Sequence, residues 1–332
     1  MREGWILRGM LAAGAMAVAL GLAQPLAADE APPPPKDFGA FLADVEAEAA
    51  AKGIRPETLA ALHGVRPIDR IIELDRKQPE FTVTFAQYLG RVVSPQKVAQ
   101  GRRMLAENRA LLAQIEKRYG VQPRFVVALW GIESDYGRLT GNYPVITALA
   151  TLAWDGRRSA YFRGELMNAL EIVDKGNIGA DAMIGSWAGA MGQCQFMPST
   201  FLKYAQDFDG DGRRDIWSDR GDVLASAANY LAGLGWKDDE TWGRAVTLPR
   251  HFDKALANLK VKKTLAEWSR LGVRSADGKP LPRRALEASI VFAEDGGPAF
   301  LVYDDFRAVM KWNHSTFFAL AAGHLADRIA RR

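Results

Sequence analysis

A single cysteine, Cys194, occurs in 332 residues, so no disulfide can form within the chain. Stability must come from an ordinary packed core. A chain that is 48% hydrophobic and 25% charged can build one, as one large domain or two modest ones. Histidine is scarce as well: His63, His251, His314 and His324 are scattered, with no spacing that would hold zinc. No block of basic residues stands out. The net charge of +4 suits an anionic partner in general and gives no argument for nucleic acid. No internal repeat is visible. The prominent apolar run, residues 9–23, falls short of the roughly 20 residues a membrane span needs.

That run has Arg2 and Arg8 before it and small residues after it in "QPLAADE"; "APPPPKD" comes next. A basic start, a short apolar core and small residues at the end predict a secretory signal peptide over residues 1–28, cut near Ala28. Leu26 departs from the small-x-small rule at that cut. A disordered proline-rich leader is expected over 29–37. No cysteine lies at the cut to carry a lipid. Export of a chain without disulfides points to a bacterial periplasm.

Helical patterning dominates the chain from residue 38 onward. "FGAFLADVEAEAAAKG" reads as a helix with a glycine stop. Residues 94–120 read as one helix, with Ser94 as N-cap, Pro95 in the first turn and Gly120 as the stop. Further helices are expected in "QPRFVVALWGIESDYG", "SAYFRGELMNALEIVDKG", "PSTFLKYAQDF", "DVLASAANYLAGLGW" and "STFFALAAGHLADRIAR". Between about 244 and 305 the pattern weakens. There "EASIVFA" and "AFLVY" read as strands, and "SADGKPLP" is a turn-rich connection. The fold class is mainly α, with a small strand-bearing part.

One carboxylate is out of place. Glu133 follows Val126, Leu129 and Trp130 by seven, four and three residues, so it shares their apolar face near the end of its helix. Burial and the negative end of the helix dipole both disfavour the anion and raise its pKa, which a general acid needs. The structural alternative is a glutamate held by an arginine such as Arg138. "GSWAGAMGQCQFMPS", residues 185–199, bears on the choice. Its glycines let backbone approach a ligand, and Ser186, Gln193 and Gln195 offer neutral hydrogen bonds. That mixture suits a sugar cleft, and Trp187 is placed to stack on a sugar ring. Cys194 reads as a buried, inert thiol, because no histidine accompanies it. His314 is a candidate cleft residue.

"ESDYG", "GSWAGAMGQCQFMPS", "DFDGDGRRDIW" and "ANYL", together with "DRKQPEF" and "GPAFLVYDDFRAVMKWNHS", stand in an order that resembles the membrane-bound lytic murein transglycosylase B family. The resemblance runs from about residue 38 to 328, and implies one catalytic domain over 38–330. It implies an α+β fold with a goose-lysozyme-like helical core and a small strand-containing domain. The implied activity is non-hydrolytic cleavage of the bond between N-acetylmuramic acid (MurNAc) and N-acetylglucosamine (GlcNAc) in peptidoglycan, leaving a 1,6-anhydro end. Glu133 takes the place of the single acid/base. Ser186, Gln195, Tyr230 and Asn313 match positions that contact sugar. One carboxyl suffices if the attacking group belongs to the substrate, whereas ordinary glycosidases need two. Asp135, two residues on, would point elsewhere on the helix.

Asp207, Asp209 and Asp211 occupy positions 1, 3 and 5 of an EF-hand-like loop, with Gly212 at 6 and the carbonyl of Arg213 at 7. Ser218 stands where the closing glutamate belongs. The resemblance suggests a longer loop closed by Asp222, and hence a structural Ca²⁺ with no cofactor required for the reaction. The alternative is a turn-rich loop knitted by Arg213, Arg214 and Arg220. The expected partners are peptidoglycan glycan strands and cell-wall synthesis proteins, with no nucleic acid, for a periplasmic monomer. A hydrolytic muramidase and a non-catalytic wall-binding protein are the other two readings.

Overall fold

The computed structural model describes residues 37–76 and 83–331. The export segment and the leader through residue 36 lie outside the described residues, as does "DRKQPEF" from residue 77 on. Asp37, expected at the end of the leader, instead caps the first helix: its Oδ1 accepts the Gly39 N–H at 2.9 Å.

Fourteen α-helices occur among the described residues. Before the central helix come α1 (Phe38–Ala51), α2 (Pro56–Leu59), α3 (Asp69–Arg76), α4 (Phe85–Val92), α5 (Pro95–Glu107) and α6 (Arg109–Tyr119). The central helix is α7 (Pro123–Ser134). After it come α8 (Val145–Trp154), α9 (Ser159–Asp174), α10 (Pro198–Tyr204), α11 (Arg220–Gly233), α12 (Leu265–Arg270), α13 (Asp304–Trp312) and α14 (Thr316–Ala330). The mainly helical fold class and the strands at "EASIVFA" and "AFLVY" are borne out.

The helix expected over 94–120 is two helices. Ser94 does cap the first, its Oγ accepting the Lys97 N–H at 3.2 Å, and Gly120 does end the second at φ 69°. The break is at buried Asn108, whose side-chain Nδ2 donates to the Met104 carbonyl at 2.7 Å. A short amide side chain that bonds the preceding turn competes with the helical ladder. Here it ends α5 and starts α6.

From residue 125 to 134 every α7 residue except Glu133 is buried. The helix therefore has no solvent face, and the one-sided pattern expected from the sequence understates its burial. α14, α5, α11 and α6 surround it. A helix that is apolar all round belongs at the centre of a larger protein.

The strands form two sheets. β1 (Tyr143–Pro144) pairs with β2 (Ile184–Gly185). The other five are β3 (Gly243–Thr247), β4 (Lys263–Thr264), β5 (Arg274–Ser275), β6 (Glu287–Phe292) and β7 (Ala299–Val302), in the order β4-β6-β7-β3-β5, all antiparallel. Alternation along β6 and β7 gives this sheet two apolar faces. Ile290, Ala299 and Leu301 meet Leu265 and Trp268 in a small core of their own, while Val291, Phe300 and Val302 join the helical core. The sheet is thus a wall of the helical body. Trp242, just before β3, packs over Gly323 of α14 and donates to Asp327 Oδ2 at 3.1 Å. No helix among the described residues is long and apolar enough to cross a membrane.

Candidate active site

The end of α7 sets Glu133. The helix stops because Asp135, Tyr136 and Gly137 adopt φ of 52°, 61° and 84°, three left-handed residues in a row. Tyr136 then folds back beneath the helix, its hydroxyl donating to the Lys97 carbonyl at 2.7 Å. A side chain at Gly131 would strike the Tyr136 ring, so glycine lets the ring lie there.

Glu133 is not held by an arginine. Arg138 pairs with Asp135, which Lys97 also approaches at 3.4 Å. Asp135 is therefore satisfied as a structural anion. Glu133 instead accepts one hydrogen bond at Oε1, from Trp312 Nε1 at 2.8 Å. Burial pushes its pKa up to about 8, against the lowering effect of that bond. Neither cause is a second carboxylate. Its side chain keeps a partly open side, so a ligand can reach it.

Aromatic side chains form the wall beside it. The Trp312 ring lies 4.8 Å from Tyr230 and 5.6 Å from Phe196, and Tyr230 lies 5.3 Å from Phe196 and 4.6 Å from Tyr204. The charge of Glu133 also raises the pKa values of Tyr230, Tyr88 and Cys194, in each case after burial as the larger cause. These groups therefore surround Glu133. The Tyr88 hydroxyl is buried with no hydrogen-bond partner among the described residues. Cys194 is buried, its Sγ against the Val223 carbonyl at 3.1 Å, in keeping with an inert thiol.

The glycine-rich segment is a knot of backbone pairings: Gly185 with Met191, and Met191 with Phe196. Its polar side chains serve the knot. Ser186 Oγ accepts the Ala190 N–H at 3.0 Å. Gln193 accepts from Trp130 Nε1 at 2.9 Å and donates to the Trp217 carbonyl at 2.8 Å, tying the segment to α7. Gln195, at φ 50°, donates its side-chain amide to the Thr140 and Gly192 carbonyls at 3.0 and 2.9 Å. These polar side chains thus find hydrogen-bond partners within the knot and its neighbours. Asn313 is buried directly after Trp312, and its Oδ1 accepts the Ser315 N–H at 3.0 Å.

In the aspartate loop, one oxygen each of Asp207, Asp209 and Asp211 come within 4.8 Å of one another. Asp222 is not in that cluster. It is buried in the first turn of α11, where Oδ1 accepts Phe208 N–H at 2.6 Å and Oδ2 accepts Asp215 N–H at 2.7 Å. Arg213 turns its side chain to Asp211 at 3.2 Å.

The family model for the transglycosylase SLT domain matches residues 37–327. This chain belongs to that family. Among relatives, the membrane-bound lytic murein transglycosylase B of Escherichia coli is 30% identical over 293 residues, covering 83% of this chain and 78% of its own. SltB3 of Pseudomonas aeruginosa, solved in complex with NAG-anhNAM-pentapeptide, is 46% identical. It superposes with a TM-score of 0.86 over 89% of this chain and 80% of that one. The E. coli lytic transglycosylase Slt35, solved in complex with calcium, is 28% identical, with a TM-score of 0.75 over 87% of this chain and 92% of that one.

The SLT-domain site contains groups that sequence patterns do not reveal. Trp312 is invisible to them because its partner, Glu133, is 179 residues away. Tyr88 lies in a region that reads only as helical. Gln193 reads as a ligand donor, yet its partners are Trp130 and Trp217.

Proposed function

We propose that this SLT-domain enzyme cleaves the MurNAc–GlcNAc β-1,4 bond of peptidoglycan glycan strands without water, leaving 1,6-anhydro-MurNAc ends, with Glu133 as sole acid and base. The observation that carries this is a single carboxyl, its pKa pushed up by burial to about 8, at the one partly open position among residues 125–134 of α7. The Trp312 N–H occupies Oε1, which leaves the proton to Oε2 and the cleft. Glu133 gives that proton to the glycosidic oxygen as the C1–O bond breaks. The substrate's N-acetyl group steadies the cationic C1. The new carboxylate, held by Trp312, then takes the proton of the C6 hydroxyl as its oxygen bonds to C1. Glu133 ends protonated as it began, because the proton it gives to the leaving oxygen is replaced by that of the C6 hydroxyl, and no second carboxylate is required.

Ser186, Gln195, Tyr230 and Asn313 contact the sugars in this reading. Tyr230 is supported by its place in the aromatic wall, and Gln195 by its position next to Phe196 in that wall. Glu133→Gln keeps the shape and an acceptor for Trp312 but holds no acidic proton. It is expected to abolish release of anhydro-muropeptides from purified sacculi by at least about a thousandfold with the fold retained. Retained turnover would sink the assignment.

The aspartate loop offers hard oxygen donors suited to calcium, and the calcium-bound Slt35 is a relative. Asp207, Asp209 and Asp211 would hold the ion, with the carbonyl of Arg213; Asp222 would brace the loop from behind. Bound there, the ion would help order the loop before α11, which carries Tyr230. Added calcium is expected to raise the melting temperature, and Asp209→Ala to remove that rise. The export pattern of residues 1–28 and the membrane-bound relative support a periplasmic location.

A further inference from the structure

A cavity of about 490 Å³ is lined by apolar Leu234, Leu259 and Met310 and by Lys262, Arg307 and Lys311. It falls in the size range of ligand pockets. It neighbours the cleft at the ends of two helices, where Lys311 of its lining directly precedes Trp312, the partner of Glu133. Leu234 caps the end of α11, four residues after Tyr230, its N–H donating to the Tyr230 carbonyl at 3.0 Å. On α13, Arg307, Met310 and Lys311 follow a helical period, Lys311 directly before Trp312, and His314 lies just past the end of the helix.

The charge in this cavity is one-sided. Asp304 is the one carboxylate of the lining, and both Lys262 and Arg307 approach its Oδ1, at 2.7 and 3.4 Å. Arg307 is held further by donating to Ser289 Oγ at 2.6 Å. Lys311 has no carboxylate partner among the described residues; its ammonium donates to the Leu234 carbonyl at 2.9 Å. An exposed ammonium on a carbonyl keeps two N–H donors for a ligand. His314 is exposed alongside. Apolar side chains with surplus cations suit a short peptide that ends in a carboxylate.

We infer that this groove takes the peptide stem carried by the muramic residue, with Lys311 and Lys262 on its carboxylate. The inference rests on the transglycosylase reading and adds a specificity determinant outside the catalytic cleft. It makes strands that bear pentapeptide better substrates than bare ones. SltB3 was solved with such a peptide-bearing sugar.

The test uses the full chain and two measurements. In the first, wild type, Lys311→Glu and Lys262→Glu digest pentapeptide-bearing strands and the same strands stripped of peptide. Each reversal is expected to raise KM about tenfold on peptide-bearing strands and to leave stripped strands within twofold. Equal loss on both substrates, or no loss on either, overturns the groove. In the second, isolated pentapeptide and its C-terminal amide are titrated by calorimetry against Glu133→Gln, alone and with Lys311→Glu. The free acid is expected to bind about tenfold more tightly than the amide, and only when Lys311 is present. Equal binding of acid and amide overturns the proposal. Because the titration needs no turnover, it stands apart from the catalytic reading. Anhydro products absent from wild type would count against that reading alone.

Discussion

Glu133 and Trp312 form a pair whose function depends on which atom holds the proton. With a pKa of about 8, Glu133 is protonated at neutral pH and loses that proton as pH rises through 8. The alkaline limb of kcat/KM is therefore expected near pH 8. Trp312 is the one group that lowers this value, through its N–H. Trp312→Phe keeps the aromatic wall and removes the N–H, so the limb is expected to move to higher pH. Turnover should fall about tenfold or more, because the carboxylate formed midway loses its donor. A pH–rate profile of the variant checks both. An unmoved limb would mean that the bond to Trp312 has no part in setting the acid. Glu133 is legible in the sequence because a carboxylate inside an apolar helical pattern is costly without a reason. Trp312 is not legible, since no local pattern joins residues so far apart in the chain.

Backbone turns decide where these side chains stand. Gly141, at φ 100°, lies so close to the glycine-rich knot that a Cβ there would drive into the Gly185 carbonyl oxygen. Gly53 has a similar left-handed φ of 85° and open space around it. Gly141→Ala combines strain with a backbone collision and is expected to cost roughly 3 kcal/mol or more, with loss of activity. Gly53→Ala carries the strain alone, and roughly 1 kcal/mol is expected. Denaturant unfolding of the two variants measures the difference, and equal costs would show that the knot at Gly185 can yield. The helix starts at Ser94 and Pro123 and the stop at Gly120 are readable because caps and prolines are local chemistry. The break at Asn108 escapes the pattern because asparagine at that point is compatible with a helix until its side chain bonds the turn before it. The short strands β3, β4 and β5 are hidden as well. Each has two to five residues, and only pairing across the sheet defines them.

For the whole molecule, two buried acids give stability a definite slope with pH. Glu133 rises from the usual 4.5 to about 8, and Asp305, its Oδ2 buried without a partner among the described residues, rises from 3.8 to about 7. Burial is the main cause for both. The folded state thus holds protons that the unfolded chain has lost, so these two groups' contribution falls as pH rises from about 4 to 8. Glu133→Gln removes the larger part. At pH 8.5 the variant is expected to be more stable than wild type by roughly 2 kcal/mol, below the full linkage value because Glu133 keeps an open side. At pH 4 the two should match. Thermal melts across that range check it, and a difference that does not grow with pH would count against a buried, protonated Glu133. α13 packs on α14 and α11, and this one helix carries Trp312 on the cleft and Lys311 on the neighbouring cavity.

In the proposed mechanism one carboxyl works with the substrate's own hydroxyl, and water takes no part. Digestion of purified sacculi by the wild-type chain in heavy-oxygen water separates that route from hydrolysis. The expected products are muropeptides one water lighter than hydrolysis would give, with no heavy oxygen incorporated at C1. Reducing-end MurNAc that carries the label would overturn the mechanism and make the protein a hydrolytic muramidase.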